Sequence, residues 1–272
     1  MGWWRVLLAL GLLVATPAAA QRIVTLGSEV TEIVFALGRG AQVVAVDDTS
    51  THPPDARALP RIGYFRALAP EPVLAQRPTL VLAAAGAGPE AVLRQVERAG
   101  VRVVRLPEAW TADGVEAKIR AIGRALDAEA AAERLAAQTR AALAALAPPP
   151  DAPRPRMMLV LATAPGRVLA AGQDTAGDGF IRLAGGENVF RAQGYRPLSA
   201  EAALAAAPEV ILVPSHVARM VGGLEAIARE PVLARTPAVR QGRLILIDSQ
   251  AALGFGPRLP EALAALRRRL AG

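Results

Sequence analysis

Cysteine is absent from the 272 residues, which excludes disulfides, thiolate metal sites and cysteine nucleophiles together. Histidine is nearly absent too. His52 and His216 are too few for a multi-histidine metal centre. Aromatic residues make up 4% of the chain, and the only tyrosines are Tyr64 and Tyr195. Lysine is reduced to Lys118, so arginine carries almost all of the net charge of +7. The arginines are scattered, with no basic stripe and no interleaved aromatics, which argues against a nucleic-acid surface. There is no nucleophile elbow, no Walker loop and no Gly-x-Gly-x-x-Gly after a strand, so the residues carry no enzyme signature. What the chain does have is apolar content, at 53%, which excludes disorder. Its length suits one large domain or two lobes.

The first twenty residues read as a signal peptide. A short basic start, Met1 to Arg5, precedes the apolar run Val6–Ala15 and the small residues Thr16-Pro-Ala-Ala-Ala20, with cleavage expected after Ala20. The run is about half of the ~20 residues a membrane span needs. No cysteine follows it, so no lipid anchor is expected. The mature chain is expected to be periplasmic, monomeric and not membrane-spanning.

From Arg22 onward, short apolar and β-branched runs alternate with amphipathic ones. Strands are expected at Arg22–Leu26, Gln42–Val46, Thr79–Ala83 and Val101–Arg105, with helices at Thr31–Leu37 and Glu90–Ala99. A helical region follows in two parts, Val115–Leu126 and Ala128–Leu146, with Asp127 available to cap the second. Pro148-Pro-Pro150 ends it. Strands resume at Met157–Leu161, Val210–Val213 and Leu244–Ile247, and Leu259–Leu270 closes the chain as a helix. The pattern predicts an α/β protein with largely parallel sheets. The expected division is an N-terminal lobe over 21–112, a connecting helical region over 113–147 and a C-terminal lobe over 148–272.

An internal echo supports two related lobes. Leu68-Ala-Pro-Glu-Pro-Val-Leu-Ala-Gln-Arg-Pro-Thr-Leu-Val-Leu82 aligns with Leu198-Ser-Ala-Glu-Ala-Ala-Leu-Ala-Ala-Ala-Pro-Glu-Val-Ile-Leu212 at a constant offset of 130 residues. Each copy reads as a short helix, a proline stop and a buried strand. Paired lobes leave a cleft between them, where ligand sites preferentially lie.

Several segments of the mature chain resemble a known family. Arg22-Ile-Val-Thr-Leu-Gly-Ser-Glu-Val-Thr-Glu-Ile33 and Ala36-Leu-Gly38 resemble the helical-backbone class of periplasmic binding proteins. Gly63-Tyr-Phe-Arg-Ala-Leu68, Ala85-Gly-Ala-Gly-Pro-Glu90 and Leu253-Gly-Phe-Gly-Pro-Arg258 are similar to its haemin-binding members. The resemblance implies two Rossmann-like lobes joined by a long helix, with the ligand cleft between them. It also implies capture of haem and delivery to the permease dimer of an ABC importer. Ferric siderophore or cobalamin is the alternative ligand within the same class.

Ferric haem needs an apolar slot, an axial oxygen or nitrogen ligand, and cations for its propionates. Gly63-Tyr64-Phe65-Arg66 supplies a phenol and a guanidinium two residues apart, on one side if the segment is extended. By its residues alone Tyr64 is an ordinary half-buried aromatic; the resemblance makes it the axial ligand. Tyr195, just before the second repeat copy, is either the opposite wall of the cleft or a plain loop residue. His216, beyond the strand at 210–213, is a candidate second iron ligand. The stretch Ala164-Pro-Gly-Arg167, where a relative's histidine would be sought, has none. His52 reads as loop surface. Arg66 and Arg258 are candidates for pairing with the propionates. Glu71 and Glu201 occupy matching places in the two repeat copies. A first-turn acid facing the helix dipole would explain each, and the resemblance implies that each meets a permease arginine.

Overall fold

The computed structural model describes residues 21–108, 110–164 and 167–271; the expected signal peptide lies outside them. The N-terminal sheet contains β1 (Ile23–Leu26), β2 (Val43–Val46), β3 (Leu80–Ala83) and β4 (Arg102–Arg105), all parallel, in the order β2-β1-β3-β4. Helices α1 (Ser28–Ala36), α2 (Pro70–Ala75) and α3 (Glu90–Arg98) connect these strands. The connecting region is α4 (Ala112–Ala125) and α5 (Glu129–Ala145).

The second sheet contains β5 (Arg156–Ala164), β6 (Arg167–Ala171), β7 (Glu187–Asn188), β8 (Tyr195–Pro197), β9 (Val210–Pro214) and β10 (Leu244–Ile247). Its order is β10-β9-β5-β6-β8, with β7 also on β5. The helices of this half are α6 (Ala176–Leu183), α7 (Ala200–Ala206), α8 (Ser215–Val221), α9 (Leu224–Ala228), α10 (Pro237–Arg240), α11 (Ser249–Leu253) and α12 (Leu259–Ala271).

The α/β reading with largely parallel sheets holds, and the structure adds two particulars. The second sheet is mixed, because β6 and β8 run antiparallel. Only residues 165–166 separate β5 from β6, far too few for a crossover, so that pair has to fold back on itself. The connecting region is a hairpin of two helices rather than one rod. Asp127 does not cap α5: it adopts a left-handed φ of 48°, and Ala128 holds the cap position without a side-chain hydrogen bond. The helices lie antiparallel, with ion pairs Arg120–Glu133 at 2.9 Å and Glu116–Arg140 across them. At Gly123 an added Cβ would come within 2.3 Å of Ala132 Cβ, so glycine is what lets the helices approach.

The 130-residue echo is structural. Helices α2 and α7 start at Pro70 and Ala200, and each leads to a central strand, β3 or β9, beside the first strand of its sheet. Arg77 and Ala207, the residues before Pro78 and Pro208, both take left-handed φ values, 48° and 41°. That is an uncommon conformation for a residue with a side chain, and it recurs at the same place in both copies.

Alternation along the strands explains how the halves join. Ile23, Leu80, Leu82, Met157, Leu159, Val210, Leu212, Ile245 and Ile247 all point into one shared core with α1, α4, α5, α6 and α12. Their neighbours on the opposite faces fill two separate outer cores, Val24 and Val81 in one, Met158, Val160 and Ile211 in the other. Each such fully buried aliphatic side chain stabilises the fold by roughly 1.5–3 kcal/mol.

Charges are also buried at the seam between the halves. Lys118 on α4 donates from Nζ to the carbonyls of Gly254 (3.0 Å) and Phe255 (3.3 Å) and lies 3.6 Å from Glu29 Oε1 of α1. Burial pushes the Glu29 carboxyl above its ordinary pKa, against the pull of Lys118. Arg258 donates to Glu32 Oε1 at 3.1 Å, and burial raises Glu32 to about 7 despite that partner. Lys118→Met should therefore lower unfolding stability in urea by about 3–5 kcal/mol, because it strands a buried carboxylate. Adding Glu29→Gln should recover much of that loss. A double variant as unstable as the single one would show that the charge pairing is not what Lys118 supplies.

Candidate functional site

The loops at the carboxyl ends of the strands face one another across the seam, the usual place for a crevice in α/β folds. Thr51 Oγ1 of the loop after β2 donates to Gln250 Oε1 of α11 at 2.7 Å, and the Gln250 amide returns a bond to the Thr49 carbonyl. This loop also carries Tyr64. The buried Asp47 side chain holds its base by accepting from Gly27 N (3.0 Å), Thr49 Oγ1 (2.6 Å) and Ser50 Oγ (2.6 Å). Arg61 donates to the carbonyls of Asp47 and Ser50 at 2.7 and 2.8 Å.

Gly63 has φ +95°, and the chain then makes a turn closed by Ala67 N–H on the Tyr64 carbonyl at 2.8 Å. The segment is thus not extended, and strand alternation is not what relates Tyr64 to Arg66. The link between them is the ring of Phe65. Tyr64 meets it edge-on with centroids 5.2 Å apart, and the Arg66 guanidinium stands 4.8 Å from its centroid. The Tyr64 side is open: the residue is 45% exposed and its hydroxyl has no hydrogen-bond partner among the described residues. Arg66 rests against Gly86, where a Cβ would come within 2.4 Å of Nη1. Glycine at 86, with φ +75°, is therefore required for this arginine position.

Tyr195 lies in the other half, half-buried on the edge strand β8. Hydrogen bonding from the Gly177 N–H and the Thr175 side chain, at the start of α6, favours its phenolate. Burial raises its pKa above the ordinary value. Those hydrogen bonds and the Arg66 charge act in the other direction, while Glu108 adds to the rise. The Arg66 charge of the N-terminal half is thus felt at Tyr195 of the other half. Behind them, Trp110 packs edge-on against Phe255 with centroids 5.2 Å apart, and an added Cβ on Gly179 of α6 would come within 2.6 Å of Trp110 Cβ. Sequence reasoning missed Trp110. Its signal was that it is the only tryptophan after residue 20, set directly before a helix.

Two expected members are not brought into this group. Arg258 is 18% exposed and committed to Glu32, with Asp248 Oδ2 at 3.6 Å, so it is withdrawn as a propionate partner. Its guanidinium is already shared between two carboxylates, one of them buried. His216 opens α8 with Nδ1 2.7 Å from Ser249 Oγ, and burial lowers its pKa. The sheet order puts β9 three strand positions from β8, about 14 Å at normal strand spacing, so His216 stands apart from Tyr195. His52 is half-buried and feels the charges of Arg258, Glu261 and Asp248, so it belongs to the seam and not to open loop surface.

Glu71 and Glu201 are both exposed, in the first turns of α2 and α7. The matching residues Val73 and Ala203 pin these helices to the outer cores. Hydrogen bonds from its own backbone N–H and the Ser199 side chain hold the Glu201 carboxyl below its usual pKa.

A two-lobed α/β architecture with a cleft at the strand ends defines a ligand-capture protein rather than a known catalytic constellation. The chain belongs to the periplasmic binding protein family, whose profile matches residues 23–251. It is 40% identical to the periplasmic heme-binding protein BhuT, solved in complex with two hemes (TM-score 0.84; 92% of this chain and 98% of that one). It is 38% identical to the periplasmic heme-binding protein RhuT from Roseiflexus sp. RS-1 (TM-score 0.87; 92% and 97%). A vitamin B12-binding protein of Pectobacterium carotovorum is 29% identical over 210 residues, covering 75% of each chain.

The reach of the Arg66 charge to Tyr195 is testable in a Tyr64→Phe background, where Tyr195 is the one remaining phenol. Arg66→Ala removes a positive charge that favours phenolate, so ultraviolet titration should show Tyr195 ionising at higher pH than in the parent. An unchanged titration would mean that the charge does not reach the phenol.

Proposed function

We propose that the protein captures haem between its lobes and delivers it to an ABC importer in the inner membrane. The open hydroxyl of Tyr64, at the rim of the cleft and beside Arg66, is the observation that carries the reading. A phenolate is a hard oxygen donor suited to ferric iron. Tyr195, already engaged at the start of α6, suits a wall better than a ligand. Among the described residues no three His, Asp or Glu side chains gather as a metal site, so iron would have to arrive in its own chelate. Haem does so, and the solved neighbours named for heme binding support the choice over other chelates. Arg66 is the remaining candidate for a propionate.

Cobalamin is the second reading, favoured by the vitamin B12-binding relative. Absorbance titration of the mature protein with haemin and with cobalamin separates the two. Tyr64→Phe keeps the ring and removes the oxygen. It should abolish the phenolate-to-iron charge-transfer band and weaken haem binding at least about tenfold, ~1.4 kcal/mol. An unchanged haem spectrum in this variant would reject Tyr64 as the ligand.

The same proposal places the protein in the periplasm after removal of residues 1–20. Among the described residues no helix is long and apolar enough to cross a membrane. We propose that Glu71 and Glu201, one acid on the outer face of each half, meet arginines of the two-fold permease. Changing both to alanine should leave haem titration intact while reducing uptake into reconstituted vesicles, since losing one side of a desolvated pair costs about 2–5 kcal/mol. Normal uptake would leave these acids with only their helix-dipole role.

A further inference from the structure

A groove on the flank of the N-terminal sheet, outside the cleft, has a chemistry that ligand capture does not use. It runs between the edge strand β4 and α4, lined by Arg102, Val104, Ala117, Arg120, Ala121 and Arg124 among others. Strand β4 is the last in its sheet and pairs only with β3. Arg102 N–H donates to Thr79 O at 3.3 Å and Leu106 N–H to Ala83 O at 2.9 Å. By the alternation of a parallel ladder, the N–H groups of Val103 and Arg105 therefore point away from the sheet. Open main-chain groups on a β-branched edge are a template for another strand.

The side chains say what kind of strand. Arg102 and Val104 share the face toward α4, which answers with Ala117 and Ala121, one turn apart and small enough to leave room. Two of the groove's guanidiniums are already matched. Arg105 pairs with Glu90 and Glu97 at 2.8 and 2.6 Å, and Arg120 pairs with Glu133 and Glu116 at 2.9 and 3.1 Å. Arg102 and Arg124 are exposed and have no ion-pair partner among the described residues. The unmatched charge of the groove is thus positive. A second copy of the chain fits poorly, because it brings its own Arg102 to the same edge and adds to the unmatched positive charge instead of neutralising it. An apolar macrocycle fits poorly as well, since the alanine floor is shallow and open.

We propose that this groove docks an extended acidic segment of a partner protein. The segment adds as a strand to β4 and sets alternate carboxylates against Arg102 and Arg124. Main-chain bonds at Val103 and Arg105 supply the pairing, and the arginines supply the selectivity.

The test uses the mature protein and a fluorescent peptide alternating Glu and Thr over about ten residues, long enough to pair along the whole edge. A peptide alternating Glu and Pro has the same charge but cannot form the ladder. Fluorescence anisotropy should show binding of the first peptide and little of the second, and amide shifts at Val103 and Arg105 should mark the site. Arg102→Glu with Arg124→Glu should weaken binding about tenfold or more. Haemin titration of that double variant reports on the cleft independently, so failure here and failure of the haem reading are distinguishable. The proposal falls if the Glu-Thr peptide does not bind, if the double reversal binds it equally well, or if the Glu-Pro peptide binds as tightly.

Discussion

The buried ammonium of Lys118 is the constraint around which the two halves are set. It reaches from α4 to the carbonyls of Gly254 and Phe255 while facing the carboxylate of Glu29 on α1, so three separate parts of the chain converge on one charge. An ammonium is compact and offers three donors, whereas a guanidinium is planar and wider. In a chain that uses arginine everywhere else, the one lysine is the cation buried at this seam. The Arg258–Glu32 pair beside it extends the same seam, and Gly254 and Gly256 let the loop lie directly against Glu29.

This seam decides what the cleft can be. With α1, α4, α12 and both sheets contributing to one core, the lobes are joined through packed side chains and not only through a linker. The strand-end loops of the two halves are therefore held at a set separation, Tyr64 and Arg66 belonging to one half and Tyr195 to the other. Preorganisation of that kind reduces the ordering a ligand has to impose. It also explains why Arg258, although it sits in a motif shared with haemin-binding proteins, is turned inward. It holds the Glu32 carboxyl, whose pKa burial lifts to about 7 even with the arginine beside it.

The two tyrosines show how environment separates similar groups. Tyr195 is half-buried and hydrogen-bonded at a helix start, with its ionisation pushed up by burial. Tyr64 is held only by its ring edge against Phe65, and its oxygen is left open to solvent. The same functional group is thereby shielded in one place and exposed in the other, and the difference comes from the surroundings the fold gives each.

Much of this was legible in the residues alone. Strands β1, β3, β9 and β10 were marked by apolar, largely β-branched runs, and the 130-residue echo announced a repeated helix–proline–strand unit that the fold preserves down to the left-handed residue before each proline. Tyr64 and Arg66 were singled out by the resemblance their short motif carries, since by its residues alone Tyr64 reads as an ordinary half-buried aromatic. What the residues did not reveal depends on contacts between positions far apart in the chain. Nothing local to Arg258 indicates that Glu32 lies 3.1 Å away, 226 residues earlier. Nothing local to His216 indicates the strand order that separates it from Tyr195. Local periodicity determined the elements and their kinship, because hydrogen bonding and burial act over a few neighbouring residues. Only the tertiary structure decided which arginine was free, which tyrosine was open and which lysine was buried, because those properties depend on what the fold places against each side chain.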